Sequence, residues 1–208
     1  MNPPRLLLLT DRTQLPPGRG LVDTVKACVG VGLAAVVVRE HDLDPGARTA
    51  LVADLTRLPG LTVISSRIAD PAAHGLHLAA AGHHTCNTPS TELPSCCNGV
   101  VDGSTACYMW LGRSCHTPDE VRRAAAEGAT YATLSPYAAS ASKPGYGPPL
   151  PAAAFAGHPI PVFALGGVDP RNAAAARAAG AHGVAVMGAV MRADDPGATV
   201  RALVEEVR

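Results

Sequence analysis

The sequence is poor in aromatic residues and carries no net charge, and both properties limit what the chain can be. Only 3% of its 208 residues are aromatic, so its core must be built from Val, Leu, Ile and Ala. The 17 Lys and Arg residues balance the 17 Asp and Glu residues. No basic face indicates nucleic-acid binding, and a nucleic-acid partner is not expected.

Long apolar runs and a signal peptide are also missing. No run approaches the roughly 18 apolar residues of a membrane helix. The start M-N-P-P-R-L-L-L-L-T lacks the pattern of a secretory signal. Six irregularly placed cysteines are too few for a disulfide scaffold in a chain of this size. We therefore expect a cytoplasmic protein with no membrane attachment.

What the sequence does contain is a series of short apolar runs between turns and helices. Twenty-one glycines and nineteen prolines imply many sharp turns. The apolar runs show no polar alternation, which is typical of a parallel sheet buried on both faces. Eight strands are predicted, over residues 5–10, 34–39, 61–64, 76–78, 108–111, 129–134, 160–165 and 182–187.

Helices are predicted between these strands, which makes the fold class α/β. Residues 21–31, 45–58 and 196–207 are expected to be helical, and Thr117 with Glu120 forms a capping box. An open doubly wound sheet normally has five or six strands, so eight favour a closed (β/α)8 TIM barrel. We expect one domain over residues 1–208. The stretch 79–107 has no clear period and is expected to be irregular, as lids and disordered loops are.

The stretch 160–191 predicts strand, turn, helix and strand. Its first strand ends in Gly166-Gly167, Asp169 is expected to cap the helix, and Gly188 ends the second strand. Paired glycines let backbone N–H groups approach an anion such as phosphate. A tight turn would explain a lone Gly-Gly, but two glycine-ended strands side by side favour phosphate binding.

Polar residues and glycines follow most of the other predicted strands. In a barrel the active site lies where the strands end, so these side chains are expected to converge. They are Arg39, Ser65, His77, Ser114, His116, Ser135, Lys143, Gly166, Gly167 and Gly188.

Seven motifs in order resemble those of one family, thiamine-phosphate synthase and its relative, the thiazole tautomerase TenI. Nearly the whole chain except residues 79–107 takes part in the resemblance. The motifs are L-L-T-D-R (8–12), V-V-V-R-E (36–40), G-L-H-L (75–78), G-R-S-C-H-T (112–117), S-P-Y-A-A-S-A-S-K-P-G (135–145), A-L-G-G-V (164–168) and G-V-A-V-M-G-A-V (183–190).

The resemblance implies a small-molecule ligand, the thiazole phosphate half of thiamine. The synthase joins it to a pyrimidine methyl diphosphate with Mg²⁺, whereas TenI moves a proton to convert one thiazole carboxylate phosphate tautomer into the aromatic one. Both hold the phosphate after strands seven and eight, here at Gly166, Gly167, Met187 and Gly188. Association into a homo-oligomer is a further expectation from the family.

The chain departs from the synthase pattern where magnesium binds. Ser65-Ser66-Arg67 stands for Asn-Asp-Arg, and Ala79-Ala80-Ala81-Gly82 replaces a motif that ends in a second Asp. Serine hydroxyls are poor ligands for Mg²⁺, and a departing pyrophosphate would lose its charge neutralisation. We therefore expect no metal site and no cofactor, with Mg²⁺ needed only if synthase activity persists.

The residues expected to act on the ligand each have a plainer interpretation. His116, after Ser114, matches a general acid/base position, or it is a polar residue at a helix start. Ser114, Ser140, Ser142 and Lys143 offer hydroxyls and a charge to an anion, but residues 140–143 also read as a solvated loop. Arg39 needs an anionic partner, either a substrate carboxylate or Glu40.

Histidines and cysteines elsewhere give weaker signals. His77 is expected to be a structural histidine. His83, His84, Cys86, Cys96, Cys97 and Cys107 fit no common zinc spacing. Neighbouring residues on a strand point to opposite faces, which argues against a pair between Cys115 and His116.

Three functions remain open. The first is a TenI-like isomerase that uses His116 for metal-free proton transfer on a thiazole monophosphate. The second is thiamine-phosphate synthase, metal-independent or degenerate. The third is a barrel that binds a phosphate ligand, or a partner, without catalysis.

Overall fold

A computed structural model of the chain describes residues 3–80, 108–140 and 147–208. Eight parallel strands close into a barrel in chain order, and β8 pairs with β1. The single-domain TIM barrel predicted from the sequence is confirmed. The strands are β1 (Leu6–Leu9), β2 (Ala35–Val38), β3 (Thr62–Ser66), β4 (Gly75–Leu78), β5 (Trp110–Cys115), β6 (Tyr131–Leu134), β7 (Val162–Leu165) and β8 (Gly183–Val186).

Helices pack outside the barrel, and three of them begin with the same N-capping pattern. Asp44, Thr117 and Asp195 each accept a hydrogen bond from a backbone N–H three residues later, and a proline follows each cap. None of the helices in the described ranges is long and apolar enough to cross a membrane. The helices are α1 (Leu21–Val29), α2 (Pro45–Thr56), α3 (Pro118–Ala126), α4 (Ala173–Ala178), α5 (Gly188–Met191) and α6 (Pro196–Glu206).

Alternation along each strand divides the core into two layers. Leu6 and Leu8 of β1 face the helices, whereas Leu7 and Leu9 face the interior of the barrel. Three aromatic residues, Trp110, Tyr131 and Phe163, lie inside the barrel. The Tyr131 ring meets Trp110 and Phe163 edge-on, with centroids 6.2 and 5.7 Å away. Large rings fill the lower barrel and leave the polar residues to its upper end.

Strand β5 is longer than predicted. The sequence was expected to leave the strand at Leu111, but parallel pairing continues to Arg113 with β4 and to Cys115 with β6. Gly112 allows this, because a methyl group there would collide with the side chains of Tyr131 and His77. Ser114 therefore lies inside a strand and faces the barrel interior.

Helix starts near the glycine turns also differ from the prediction. Asn172, not Asp169, is the N-cap of α4. The Asp169 carboxylate instead accepts hydrogen bonds from Arg171, and its carbonyl accepts from the N–H of Asn172 and of Ala173. The short helix α5 was not predicted. Most of the stretch predicted to be irregular, residues 81–107, lies outside the described residues.

Candidate active site

The carboxyl ends of the strands form one mouth, and the predicted site residues are distributed around it. Arg39 follows β2, His77 and Ser114 face inward from β4 and β5, and His116 follows β5. Gly166 and Gly167 follow β7, and Met187 and Gly188 follow β8. Two residues expected to converge with them do not join this set: Ser65 faces outward, and Lys143 lies outside the described residues.

The Gly166-Gly167 turn can be made only with glycine. Both residues have positive φ, +95° and +66°, which side chains rarely adopt. The loop that follows β6 lies directly over these glycines. Its Tyr137 N–H donates to Leu165 O and its Ala138 N–H donates to Gly166 O, both at 2.9 Å. A Cβ on Gly167 would lie 2.7 Å from the carbonyl carbon of Ala138. The turn is therefore fixed by its neighbours.

Backbone donors at this turn remain available. In the described parts of the chain, the N–H groups of Gly166, Gly167 and Gly188 donate no hydrogen bond. Arg192, which the sequence reasoning missed, lies against Gly188, since a methyl group there would meet its guanidinium. Its position depends on the one-turn helix α5, which the sequence did not predict. These four residues define the phosphate cup, an arrangement of donors and one cation suited to a monophosphate.

His116 lies between the phosphate cup and the capping box of α3. Its N–H donates to the Glu120 carboxylate at 2.6 Å, and its Nδ1 lies 3.2 Å from both the carbonyl oxygen and the hydroxyl of Ser135. The chain then passes through Pro136, whose Cα lies 3.4 Å from an ideal Cβ position on Gly166. A continuous set of contacts therefore joins His116 to the cup.

His77 is a structural residue, as the sequence suggested. Its Nδ1 is 3.0 Å from the Tyr131 hydroxyl and its Nε2 is 2.9 Å from Ser114 Oγ. Burial, reinforced by Arg39 and other arginines, lowers the pKa of His77 to about 3. The imidazole is therefore neutral at pH 7 and holds Ser114 in a fixed orientation.

Arg39 is not neutralised by its neighbour in sequence. Glu40 is buried and accepts from the backbone N–H of Arg12 at 3.2 Å and from its guanidinium at 3.1 Å. Within the described residues no carboxylate pairs with Arg39, whose Nη1 instead lies 2.6 Å from Met187 Sδ. The alternative in which Glu40 is the partner of Arg39 is wrong. Against its partial burial, hydrogen bonds from Thr13 and Gln14 lower the pKa of Asp11, and the charge of Arg39 is near enough to help, but Asp11 and Arg39 form no ion pair.

The side of the mouth near β3 is also cationic. Arg67, which follows β3, and Arg39 both lower the pKa of His41, after the larger effect of its burial. Nε2 of His41 is buried and has no hydrogen-bond partner within the described residues. A negatively charged ligand group is the natural complement of such a surface.

The residues at the synthase magnesium position do not fit a hard divalent cation. Ser65 faces outward, accepting from Arg48 at 2.9 Å and donating to the Ile68 carbonyl. Ser66 is in register with His77 and offers only a neutral hydroxyl, close to the cationic Arg67. Gly82, at the second position, lies outside the described residues. Over the described ranges, no three His, Cys, Asp or Glu side chains group as metal ligands.

Several predicted residues cannot be placed in this geometry. Ser142 and Lys143 lie outside the described residues, and Ser140 is partly buried at the edge of the described segment. The candidate zinc residues, His83, His84, Cys86, Cys96, Cys97 and Cys107, also fall outside. Cys115 is buried on the outer face of β5, and burial raises the pKa of its thiol to about 12. It is therefore no nucleophile beside His116.

Comparison with known proteins assigns the family. A family described as thiamine monophosphate synthase matches residues 6–190. The chain belongs to the thiamine monophosphate synthase/TenI family. Thiamine-phosphate synthase of Roseiflexus castenholzii is 34% identical over 203 residues, 94% of this chain and 85% of the relative. The synthase of Moorella thermoacetica is 33% identical over 97% of this chain and 95% of its own length.

A solved structure shows the same fold. Thiamine phosphate pyrophosphorylase from Pyrococcus furiosus superposes with a TM-score of 0.77 at 21% identity, covering 98% of this chain and 95% of that one. These family members carry the synthase name, so the comparisons favour the activity that the sequence analysis placed second. They do not specifically support the tautomerase.

Proposed function

We propose that this family member binds a thiazole monophosphate and catalyses a proton transfer on its ring without a metal ion. One observation carries the proposal. After β3, where a synthase has its magnesium-binding Asp, this chain has Ser66, with the cationic Arg67 and Arg39 on the same side of the mouth, and residues 65–67 contain no carboxylate. Cations there repel Mg²⁺ and attract a ligand carboxylate.

The phosphate cup supplies the anchor for such a ligand. Its unused N–H groups and Arg192 would hold the phosphate oxygens, and Arg39 on the opposite side of Met187 would pair with a carboxylate on the ring. A ligand with one phosphate and one carboxylate therefore places its ring between the two anchors. Two charged contacts restrict its orientation more than one would.

His116 is the group proposed to move the proton. Nδ1 of His116 lies 3.2 Å from both the carbonyl oxygen and the hydroxyl of Ser135, and the proposal takes the tautomer in which Nδ1 donates to the carbonyl, an oxygen that only accepts. Nε2 then carries the lone pair and can take a proton from one ring position and return it to another. Nothing is gained or lost overall, so the reaction is an isomerisation.

A second candidate is the synthase reaction, which the names of the relatives favour. One experiment separates the two. The purified protein is given the non-aromatic thiazole carboxylate phosphate, with and without a chelator, and separately thiazole phosphate with pyrimidine methyl diphosphate and Mg²⁺. The proposal expects aromatisation that the chelator does not affect, and no thiamine phosphate. Magnesium-dependent thiamine phosphate without aromatisation supports the synthase instead.

A further inference from the structure

A second cationic concavity lies on the face of the barrel opposite to the mouth. It sits at the amino ends of β1, β7 and β8 and has a volume of about 370 Å³. We define this basal cleft by Arg5, His158, Ile160, Arg177 and His182. Its size is in the range of small-molecule sites, and the proposed function does not use it.

Two guanidinium groups meet in the cleft. Nη1 of Arg5 donates to the carbonyl oxygen of His182 at 3.0 Å, and Nη1 of Arg177 donates to the same oxygen at 2.8 Å. In the described parts of the chain, neither arginine pairs with a carboxylate. The two guanidinium groups therefore share one carbonyl oxygen as acceptor, and the cleft keeps a net positive charge.

Arg177 still has donors to offer. Its Nε is buried without a hydrogen-bond partner, and its Nη2 makes no hydrogen bond in the described ranges. Nε and Nη2 form one edge of the guanidinium, the edge that binds two oxygens of a phosphate or carboxylate at once. Nη1 of Arg177 alone already donates to the carbonyl oxygens of Ala181 and His182, just after the end of α4. Capping that end of the helix therefore does not explain why a second arginine, Arg5, lies beside it.

Two imidazoles and an apolar wall form the rest of the cleft. Nε2 of His182 lies 2.9 Å from the carbonyl of Pro3, and Nε2 of His158 lies 2.7 Å from that of Ala154. Both carbonyls only accept, which fixes the orientation of each ring. Ile160 and its neighbouring prolines form an apolar side of the cleft. The cleft thus joins a dicationic end to an apolar wall.

We infer that the basal cleft binds a small organic phosphate monoester, with its dianion on Arg5 and Arg177 and its carbon skeleton against the apolar wall. Two cations match the roughly two negative charges that a phosphate monoester carries at pH 7. This site is separate from the phosphate cup, and its occupancy does not depend on which reaction the mouth performs.

Inorganic phosphate is the probe that tests the inference. The full chain is titrated with phosphate at fixed pH and ionic strength while the imidazole signals of His158 and His182 are followed by NMR; the amide signals of Gly166 and Gly167 report on the phosphate cup in the same sample. Saturable shifts of both histidines are expected, with chloride at equal ionic strength producing none. Absence of a saturable shift at the histidines overturns the inference, whatever the cup signals do.

Substitutions of the cleft arginines test whether phosphate binds at the basal cleft. Arg177→Gln is expected to weaken binding at the histidines by at least about tenfold, while the cup amides respond as in the wild type. Arg201→Gln, on the exposed side of α6, is the matched control and should change neither. Arg5→Gln, at an exposed position, provides the same test if Arg177→Gln does not fold. Unchanged histidine affinity in a folded Arg177→Gln or Arg5→Gln protein contradicts the inference.

Discussion

His116 places its Nδ1 3.2 Å from the carbonyl oxygen of Ser135. The N–H of His116 is held as well, by the carboxylate of Glu120 in the first turn of α3. Backbone and ring are therefore both held at the mouth, and donation from Nδ1 to the Ser135 carbonyl would leave the lone pair on Nε2. Fixed orientation with the lone pair on Nε2 is what a general base requires.

Replacing this histidine tests its role directly. His116→Gln is expected to lower kcat for thiazole aromatisation by at least about 100-fold, because proton transfer by a positioned side chain typically contributes about 10²–10⁴-fold. Ligand affinity, measured by calorimetry, should change little, since the phosphate cup and Arg39 are intact. A His116→Gln protein that retains the wild-type kcat would remove His116 from the mechanism.

Substitutions of Arg39 and Arg12 are expected to affect different properties, ligand affinity for Arg39 and stability for Arg12. Arg39→Gln is expected to raise the Kd for thiazole carboxylate phosphate at least about tenfold, with the free energy of unfolding unchanged within about 0.5 kcal/mol. Arg12→Gln is the matched control, because it removes the ion pair of the buried Glu40. It should cost about 1–3 kcal/mol of stability and leave Kd alone. The reverse pattern in calorimetry and urea unfolding would make Arg39 structural.

The glycines of the phosphate cup are expected to differ in their tolerance of a methyl group. Gly167→Ala meets both a positive φ and the backbone of Ala138 and Ala139, so it should lower the free energy of unfolding by about 1–3 kcal/mol. Gly188→Ala meets only the guanidinium of Arg192, a flexible group that can move. It should therefore cost less than Gly167→Ala in urea unfolding. Equal costs would show that the loop over Gly167 yields easily.

His77 makes stability depend on pH. Its pKa is about 3 in the folded protein and near 6.5 when exposed, so between these values the unfolded chain binds more protons. Stability is then present above pH 6.5 and decreases as the pH falls, by at most about 1.4 kcal/mol per pH unit from this group. His77→Gln should have a shallower slope between pH 6.5 and 4.5 in urea unfolding. An unchanged slope would assign the acid sensitivity to other groups.

Strand number and order could be predicted because each strand is an uninterrupted apolar run between sharp turns. The run Val36–Val38 is buried on both faces of the sheet, and eight such runs exceed the five or six strands that an open doubly wound sheet normally has. The end of β5 could not be predicted, since Gly112-Arg113-Ser114 reads as a turn. Only the packing of Tyr131 and His77 over Gly112 keeps it extended.

For the site, the sequence could predict which individual residues lie at the ends of the strands. The missing ion pair between Arg39 and Glu40 could not be predicted, because Glu40 is bound by Arg12, which lies 28 residues away in sequence. Arg192 was missed for a related reason: its position over Gly188 depends on α5, a helix of one turn that the sequence pattern does not reveal. Pairing between distant side chains is decided by the closed barrel.

Action on a thiazole monophosphate without a metal ion is the activity we propose for this member of the family. The most direct measurement follows the conversion of the non-aromatic thiazole carboxylate phosphate by the purified protein, by liquid chromatography, in excess EDTA and again in Mg²⁺. We expect the aromatic tautomer to form at the same rate in both, faster than in buffer and lost in His116→Gln. No conversion in either, with thiamine phosphate formed only when Mg²⁺ and pyrimidine methyl diphosphate are added, would contradict the claim.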